Sequence, residues 1–210
     1  MPALKLIVFD LDGVLIEEPG SWMTIHRALG TEKQAEKNAQ QFFDKKITFA
    51  EWAQADVKLW EGANVHRIKG VLDKMPLMEG AEDTLRILKG EYKVGILSGG
   101  LSIVAEDLRE RFGLDYAVGN ELLFDGGRVC GVKPVVDFYG KGIMLESICR
   151  SLKVQLDECA AVGDHVNDIP MFEKAGYSVA FNPKDVRLAD YADEVVYSRD
   201  LRSILGFFLG

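Results

Sequence analysis

Short apolar runs and helical stripes alternate along most of the chain. Leu4–Phe9, Tyr92–Leu97, Cys159–Gly163, Tyr177–Phe181 and Glu194–Tyr197 have the length of strands and carry the apolar residues of strands covered on both faces. Between them, Leu85/Leu88, Val104/Leu108, Leu145/Ile148/Leu152 and Met171/Ala175 recur every three or four positions, as the core-facing stripe of a helix does. Gly113 and Gly176 fall where such helices should stop. Strand and helix in alternation predict an α/β fold, a doubly wound and mainly parallel sheet with helices on both faces. One hairpin interrupts the scheme, because Leu122–Phe124 and Arg128–Val132 flank the turn signal Asp125-Gly126-Gly127.

The stretch from about Gly20 to Met75 has no strand-like run. Its stripes, Trp22/Ile25/Leu29, Ala35/Ala39/Phe42 and Val65/Ile68/Leu72/Met75, are helical, and Thr48-Phe49-Ala50-Glu51 fits a capping box that starts a helix at Phe49. The pattern therefore predicts an α/β core of residues 1–16 plus 77–210 with a small helical insert, residues 17–76, after the first strand. Trp22, Trp52 and Trp60, with Met23, Phe42 and Phe49, are expected to fill the small core of that insert. His26 is expected at the surface or in a local hydrogen bond. Ile16–Ser21 and Asp73–Gly80, which join the insert to the rest, are where a hinge belongs.

Composition removes several classes of function. With 48% hydrophobic and 28% charged residues over 210 positions, the chain can bury a core without staples. A formal net charge of −8 argues against nucleic acid and anionic membrane as partners. The longest apolar runs, Leu4–Phe9 and Ile204–Leu209, are far below the ~20 residues of a spanning helix, and Asp10 and Asp12 interrupt the first before it can serve as a signal peptide, so a cytoplasmic protein is expected. Cys130, Cys149 and Cys159 are too few and too widely spaced for a disulfide framework or a zinc knuckle, and are expected as buried thiols. Phe207-Phe208-Leu209 is expected to pack a last helix on the sheet.

Open parallel sheets bind ligands at the carboxyl ends of their strands. Here the first strand ends in Asp10-Leu11-Asp12-Gly13, a second in Ser98-Gly99-Gly100, and a third in Gly163-Asp164-His165-Val166-Asn167-Asp168. Any one of these could be a turn or a helix cap. Together they bring Asp10, Asp12, Asp164 and Asp168 to one edge, where each pair at 4 Å repels by roughly 4 kcal/mol at an effective dielectric near 20. A hard divalent cation with oxygen ligands answers that repulsion, and Mg²⁺ commonly shares its shell between carboxylates and a substrate phosphate. One carboxylate is then free to attack phosphorus while its neighbour two residues on moves the proton. Ser98, the Gly99 and Gly100 amides and a lysine, Lys133 or Lys141, are donors of the kind that hold a transferring phosphoryl group.

On these motifs the chain resembles the haloacid-dehalogenase-like phosphohydrolases, and within them the phosphoserine-phosphatase-like branch with its helical cap. The likeness covers nearly the whole sequence and implies a Rossmann-like core. It implies that Asp10, in Val8-Phe9-Asp10-Leu11-Asp12-Gly13, is nucleophile and Mg²⁺ ligand, and that Asp12 is the general acid/base and gives its backbone carbonyl to the metal. Ser98 and the Gly99 amide would hold the phosphate. Lys141, in the Lys-Gly pair that opens the helix before the last motif, would be the phosphate-binding and catalytic lysine, and Lys133 a surface residue. Asp164 would bind the metal directly, with Asn167 and Asp168 assisting through phosphate or water.

The same resemblance is weaker for the leaving group. Phosphoserine enzymes resemble one another in a Glu about nine residues after the nucleophile and an Arg seven residues after a cap Phe; here those places hold Pro19 and Asp56. Glu18, one residue away, and Arg27 and Arg67, the only arginines of the insert, are the candidates to substitute, while Asp56 has the wrong sign to clamp a carboxylate. The expected function is Mg²⁺-dependent hydrolysis of a small phosphate ester through an aspartyl-phosphate. The alternatives are strict phosphoserine hydrolysis in serine biosynthesis, phosphotransfer to another hydroxyl, and a catalytically silent Mg²⁺- and phosphate-binding regulatory module. Nothing in the sequence fixes an oligomeric state.

Overall fold

A computed structural model of the chain describes residues 3–209. In chain order its strands are β1 (Leu6–Phe9), β2 (Lys93–Leu101), β3 (Tyr116–Asp125), β4 (Arg128–Lys133), β5 (Cys159–Gly163), β6 (Tyr177–Phe181) and β7 (Glu194–Val196). They form one sheet in the order β4-β3-β2-β1-β5-β6-β7. Every pairing is parallel except β3 with β4, the predicted hairpin. β1 lies in the middle with Leu6 opposite Lys93 of β2 on one side and Cys159 of β5 on the other. The chain thus winds outward to one side of β1 and returns to its other side, and at that reversal the strand ends leave a crevice.

Side chains alternate across the sheet. Ile7 and Phe9 enter one apolar cluster, with Ile96, Val162 and Phe181, while Leu6 and Val8 enter the other, with Leu97, Ala161 and Ala180. Both faces being covered explains why the strands read as unbroken apolar runs. The first face carries α5 (Ala81–Glu91), α6 (Ser102–Phe112) and a terminal 3-10 segment, Leu201–Phe207; the second carries α7 (Lys141–Leu152), α8 (Ile169–Phe172) and α9 (Val186–Ala189). Phe208 is buried edge-on against Tyr177, as expected of the chain end, although the segment is 3-10 rather than α-helical.

Between β1 and α5 come α1 (Gly20–Leu29), α2 (Glu32–Phe43), α3 (Phe49–Lys58) and α4 (Val65–Leu72). The capping box is present: Thr48 Oγ1 accepts from the Glu51 amide, and Glu51 accepts from the Thr48 amide. These helices are tied to the hairpin. The Gly62 amide donates to Val129 O, Val65 N to Gly127 O, and Arg128 Nη1 to Gly62 O.

Two expectations are corrected. β3 starts at Tyr116 rather than near Leu122, and its first half runs parallel to β2; Gly119 and Asn120 mask the strand signal, because Asn120 is buried for the sake of its hydrogen bonds. Cys130 is exposed, since its side chain points from β4 to the uncovered face, while Cys149 and Cys159 are buried thiols.

Candidate active site

The candidate nucleophile follows the last residue of β1. Asp10 is 4% exposed, and its Oδ1 accepts from the Leu11 amide at 2.7 Å and faces Lys141 Nζ at 2.9 Å. Among the described residues Oδ2 has no hydrogen bond, so one oxygen is pinned and the other is available. Lys141 opens α7 and is fully buried, with Nζ also 2.5 Å from Asp168 Oδ1. Burial opposes its charge, but the carboxylates of Asp10 and Asp168 outweigh burial and hold the ammonium above the ordinary lysine range. Lys133 instead lies on the surface, paired with Glu121.

Asp12 points elsewhere. Its Oδ1 accepts from the Ser21 amide and its Oδ2 from the Ser21 hydroxyl, both at 3.0 Å, and Ser21 Oγ in turn accepts from Leu101 N. Burial and the Asp10 charge push its carboxyl up to about 6, so near neutral pH it can both hold and give up a proton. The space beside it requires Gly100: a Cβ there would lie 2.4 Å from Asp12 Oδ2 and 3.0 Å from Ser98 Oγ. The register of β2 against β3 shifts between Leu97 and Leu101, and Ser98, Gly99 and Gly100 of this irregular stretch line the crevice. Ser98 Oγ accepts from Gly100 N at 2.9 Å.

The β5 end supplies the rest. Asp168 accepts at Oδ2 from the Asp164 and His165 amides while Lys141 holds its Oδ1, so it fixes the loop that presents Asp164. Both oxygens of Asp164 are buried and lack a hydrogen bond of acceptable geometry, although Lys184 Nζ lies 2.6 Å from Oδ2. Burial, then Asp10 and Asp168, push this carboxyl well above its ordinary range. Asp10, Asp164 and Asp168 can each offer one oxygen with all three within 4.8 Å. A hard-oxygen donor set with an orphaned buried carboxylate at its centre fits a hard divalent cation. Asn167 also lines the crevice, with a buried Oδ1 that has no partner.

Above these groups lies a cavity of about 330 Å³, walled on the far side by α1, α2 and α3. Trp22, Met23, Phe49 and Trp52 line it rather than serving only the insert's core, because α1 and α3 turn one edge of their apolar stripes to the crevice. Trp60 is buried, and His26 is buried with it: Nδ1 accepts from Trp60 Nε1 at 3.0 Å and lies 2.7 Å from Thr31 Oγ1. Glu18 and Asp56 reach the cavity wall. Arg27 and Arg67 do not. The inward stripes are Ile25/His26 on α1 and Ile68/Leu72 on α4, which leaves both arginines exposed, Arg67 donating to Ala28 O.

Lys184, Ser21 and Asn120 belong to the site without having been anticipated. Lys184 stands three residues beyond β6, at a strand end like the other three, and bridges Asp164 and Glu18. Burial opposes its charge, yet Asp164 and Glu18 keep its ammonium above the ordinary range. Asn120 donates to Gly99 O at 2.8 Å and accepts from Val135 N and Val136 N, which ties the Ser98 loop to the segment leading to Lys141.

The family model described as haloacid dehalogenase-like hydrolase matches residues 4–176. The chain is 34% identical over 206 residues to a phosphoserine phosphatase of Methanocaldococcus jannaschii, covering 97% of each, and 30% identical over 205 residues to one of Wolinella succinogenes, covering 96% of this chain and 98% of that one. A substrate-bound phosphoserine phosphatase complex superposes with a TM-score of 0.86 at 33% identity, covering 99% of each chain. No helix among the described residues is long and apolar enough to cross a membrane.

Proposed function

Because the chain belongs to the haloacid dehalogenase-like hydrolases, as a phosphoric monoester hydrolase of the phosphoserine-phosphatase-like kind, we propose that it hydrolyses a small phosphate monoester through an aspartyl-phosphate on Asp10, with residues 17–76 as a cap over the site. Asp10 Oδ2 attacks phosphorus as the ester P–O bond breaks, and the Asp12 carboxyl gives its proton to the departing alkoxide oxygen. Asp12, now a carboxylate, takes a proton from water as that water attacks phosphorus. The P–Oδ2 bond breaks, releasing inorganic phosphate and regenerating both residues.

Ser98 Oγ, the Gly99 amide, Asn167 and Lys141 would hold the phosphoryl oxygens, whose charge spreads as the ester bond loosens. Lys141 also orients Asp10, and Asp168 holds both Lys141 and the Asp164 loop. Asp10, Asp164 and the Asp12 carbonyl would hold Mg²⁺, with Asp168 behind them, and the ion would neutralise charge on the phosphate and on the carboxylate cluster.

The observation that carries this reading is Asp10 itself, pinned at one oxygen by Lys141 and Leu11 N and free at the other, directly below the cavity. Phosphate release from p-nitrophenyl phosphate with Mg²⁺ tests it. The unmodified chain should turn over and Asp10→Asn should not. An Asp10→Asn variant that folds normally and keeps the parent rate would remove Asp10 from this role.

A further inference from the structure

The cavity wall opposite the phosphate site has an unusual charge. The cap contributes Glu18, Asp56 and, at the rim, Glu36, and no lysine or arginine; among the described residues the one basic side chain lining the cavity is Lys184 of the core, which is engaged by Glu18 and Asp164. Asp56 is 4% exposed. Its Oδ1 accepts from Asn38 Nδ2 at 2.7 Å, and its Oδ2 faces His26 Nε2 at 3.4 Å. An indole N–H can only donate, so Trp60 fixes His26 Nδ1 as an acceptor and places the single ring proton on Nε2. The Nε2 N–H of His26 is thus turned toward Asp56, and no lysine or arginine among the described residues pairs with the Asp56 carboxyl.

A buried carboxylate without a counter-charge is unfavourable unless a ligand brings one. Two further features say what kind. His26 lines the cavity beside Asp56, and among the described residues its buried Nε2 has no hydrogen bond of proper geometry, so this corner suits a polar group. The rest of the wall is aromatic, with Trp22, Phe49, Trp52 and Phe138, whose faces attract an organic cation. A carboxylate in the same place would meet Asp56, and the one basic side chain lining the cavity among the described residues, Lys184, is already engaged by Glu18 and Asp164.

We infer that the leaving group this cavity selects is a cationic amino alcohol without a carboxylate, its ammonium held by Asp56 against the aromatic wall. Asp56 is then the specificity-determining residue. The inference rests on the phosphomonoesterase reading above and narrows its substrate class away from phosphoserine.

The test compares kcat/KM, with Mg²⁺, for O-phosphoethanolamine, phosphocholine, L-phosphoserine, propyl phosphate as a neutral isostere, and p-nitrophenyl phosphate as a generic ester. The better of the two amino-alcohol esters should exceed both phosphoserine and propyl phosphate by at least tenfold. In Asp56→Asn its ratio to propyl phosphate should collapse to within about threefold of one; a ratio is internal to each preparation, so partial misfolding does not imitate it. Phosphoserine equal to or better than both amino-alcohol esters, or propyl phosphate turned over as well as either, overturns the inference and leaves the phosphatase standing. An unchanged ratio in Asp56→Asn overturns the role of Asp56. If no ester is turned over, p-nitrophenyl phosphate included, the phosphatase reading fails and this inference with it. Should Asp56→Asn not fold, the comparison of substrates in the unmodified chain decides alone.

Discussion

Lys141→Met is the substitution whose cost follows most directly from the structure. The ammonium is fully buried, 2.9 Å from Asp10 Oδ1 and 2.5 Å from Asp168 Oδ1, and both carboxylates are themselves buried. Methionine fills similar volume, so packing changes little and the loss is electrostatic: two buried carboxylates lose their shared cation, with Asp164 already close by. Removing one partner of a buried pair costs about 3–5 kcal/mol, because the other charge stays behind. At roughly 2–4 °C per kcal/mol for a chain of this size, the melting temperature in EDTA should fall by roughly 6–20 °C. The assay is urea denaturation of the parent, Lys141→Met, Asp168→Asn and the double variant. Since Asp168→Asn removes one of the stranded charges, the double variant should lose less than the sum of the singles by about 2 kcal/mol or more. Additive costs, or a Lys141→Met variant within 1 kcal/mol of the parent, a bound about a third of the smallest expected cost, would refute the view that Lys141 is the counter-charge of this cluster.

Two more outcomes follow from the same cluster. Asp12 is held up at about 6 against an ordinary 3.8, and Asp164 is raised as well; a raised folded-state value contributes stability that is complete below the unfolded value and lost as pH rises through the folded one. In EDTA the chain should therefore gain about 1.4 kcal/mol from Asp12 alone between pH 8 and pH 5, a gain that saturating Mg²⁺ reduces; urea midpoints that fall steadily over that interval would contradict it. Gly100→Ala places a Cβ 2.4 Å from Asp12 Oδ2 and 2.7 Å from Ser21 Oγ, so phosphate release should drop at least about a hundredfold for a stability cost of about 1–3 kcal/mol, and a variant within tenfold of the parent rate would show that the Asp12–Ser21 geometry is not needed.

Much of this arrangement was legible in the sequence. Each strand next to β1 has an unbroken apolar run, and a parallel sheet places all such carboxyl ends on one edge, so Asp10, Ser98 and Asp164 could be assembled without coordinates. Lys184 follows the same rule at the end of β6, but an Asn-Pro-Lys turn carries no catalytic pattern, and its charge acquires meaning only through Asp164 and Glu18. Ser21 and Asn120 were hidden for a related reason. Their hydrogen bonds join positions far apart in the chain, Ser21 to Asp12 and Leu101, Asn120 to Gly99, Val135 and Val136.

The insert shows where periodicity ends as a guide. Its stripes mark which residues of α1 to α4 face inward, yet a helix stripe has a centre, packed on its neighbours, and an edge, and only the packing of one helix against the next turns Trp22, Phe49 and Trp52 toward the crevice. The same rotation decides the arginines: as α1 buries Ile25 and His26 and α4 buries Ile68 and Leu72, Arg27 and Arg67 are carried to solvent, however suitable their charge. Glu18 reaches the cavity but is paired with Lys184, so what remains for the leaving group is Asp56, kept out of water by the inward face of α3 and held by Asn38 from α2. Chemistry at phosphorus is thus set by strand ends, which backbone topology alone brings together, whereas choice of the alcohol is set by helix rotation, where the same composition can present an anion or a cation to the substrate.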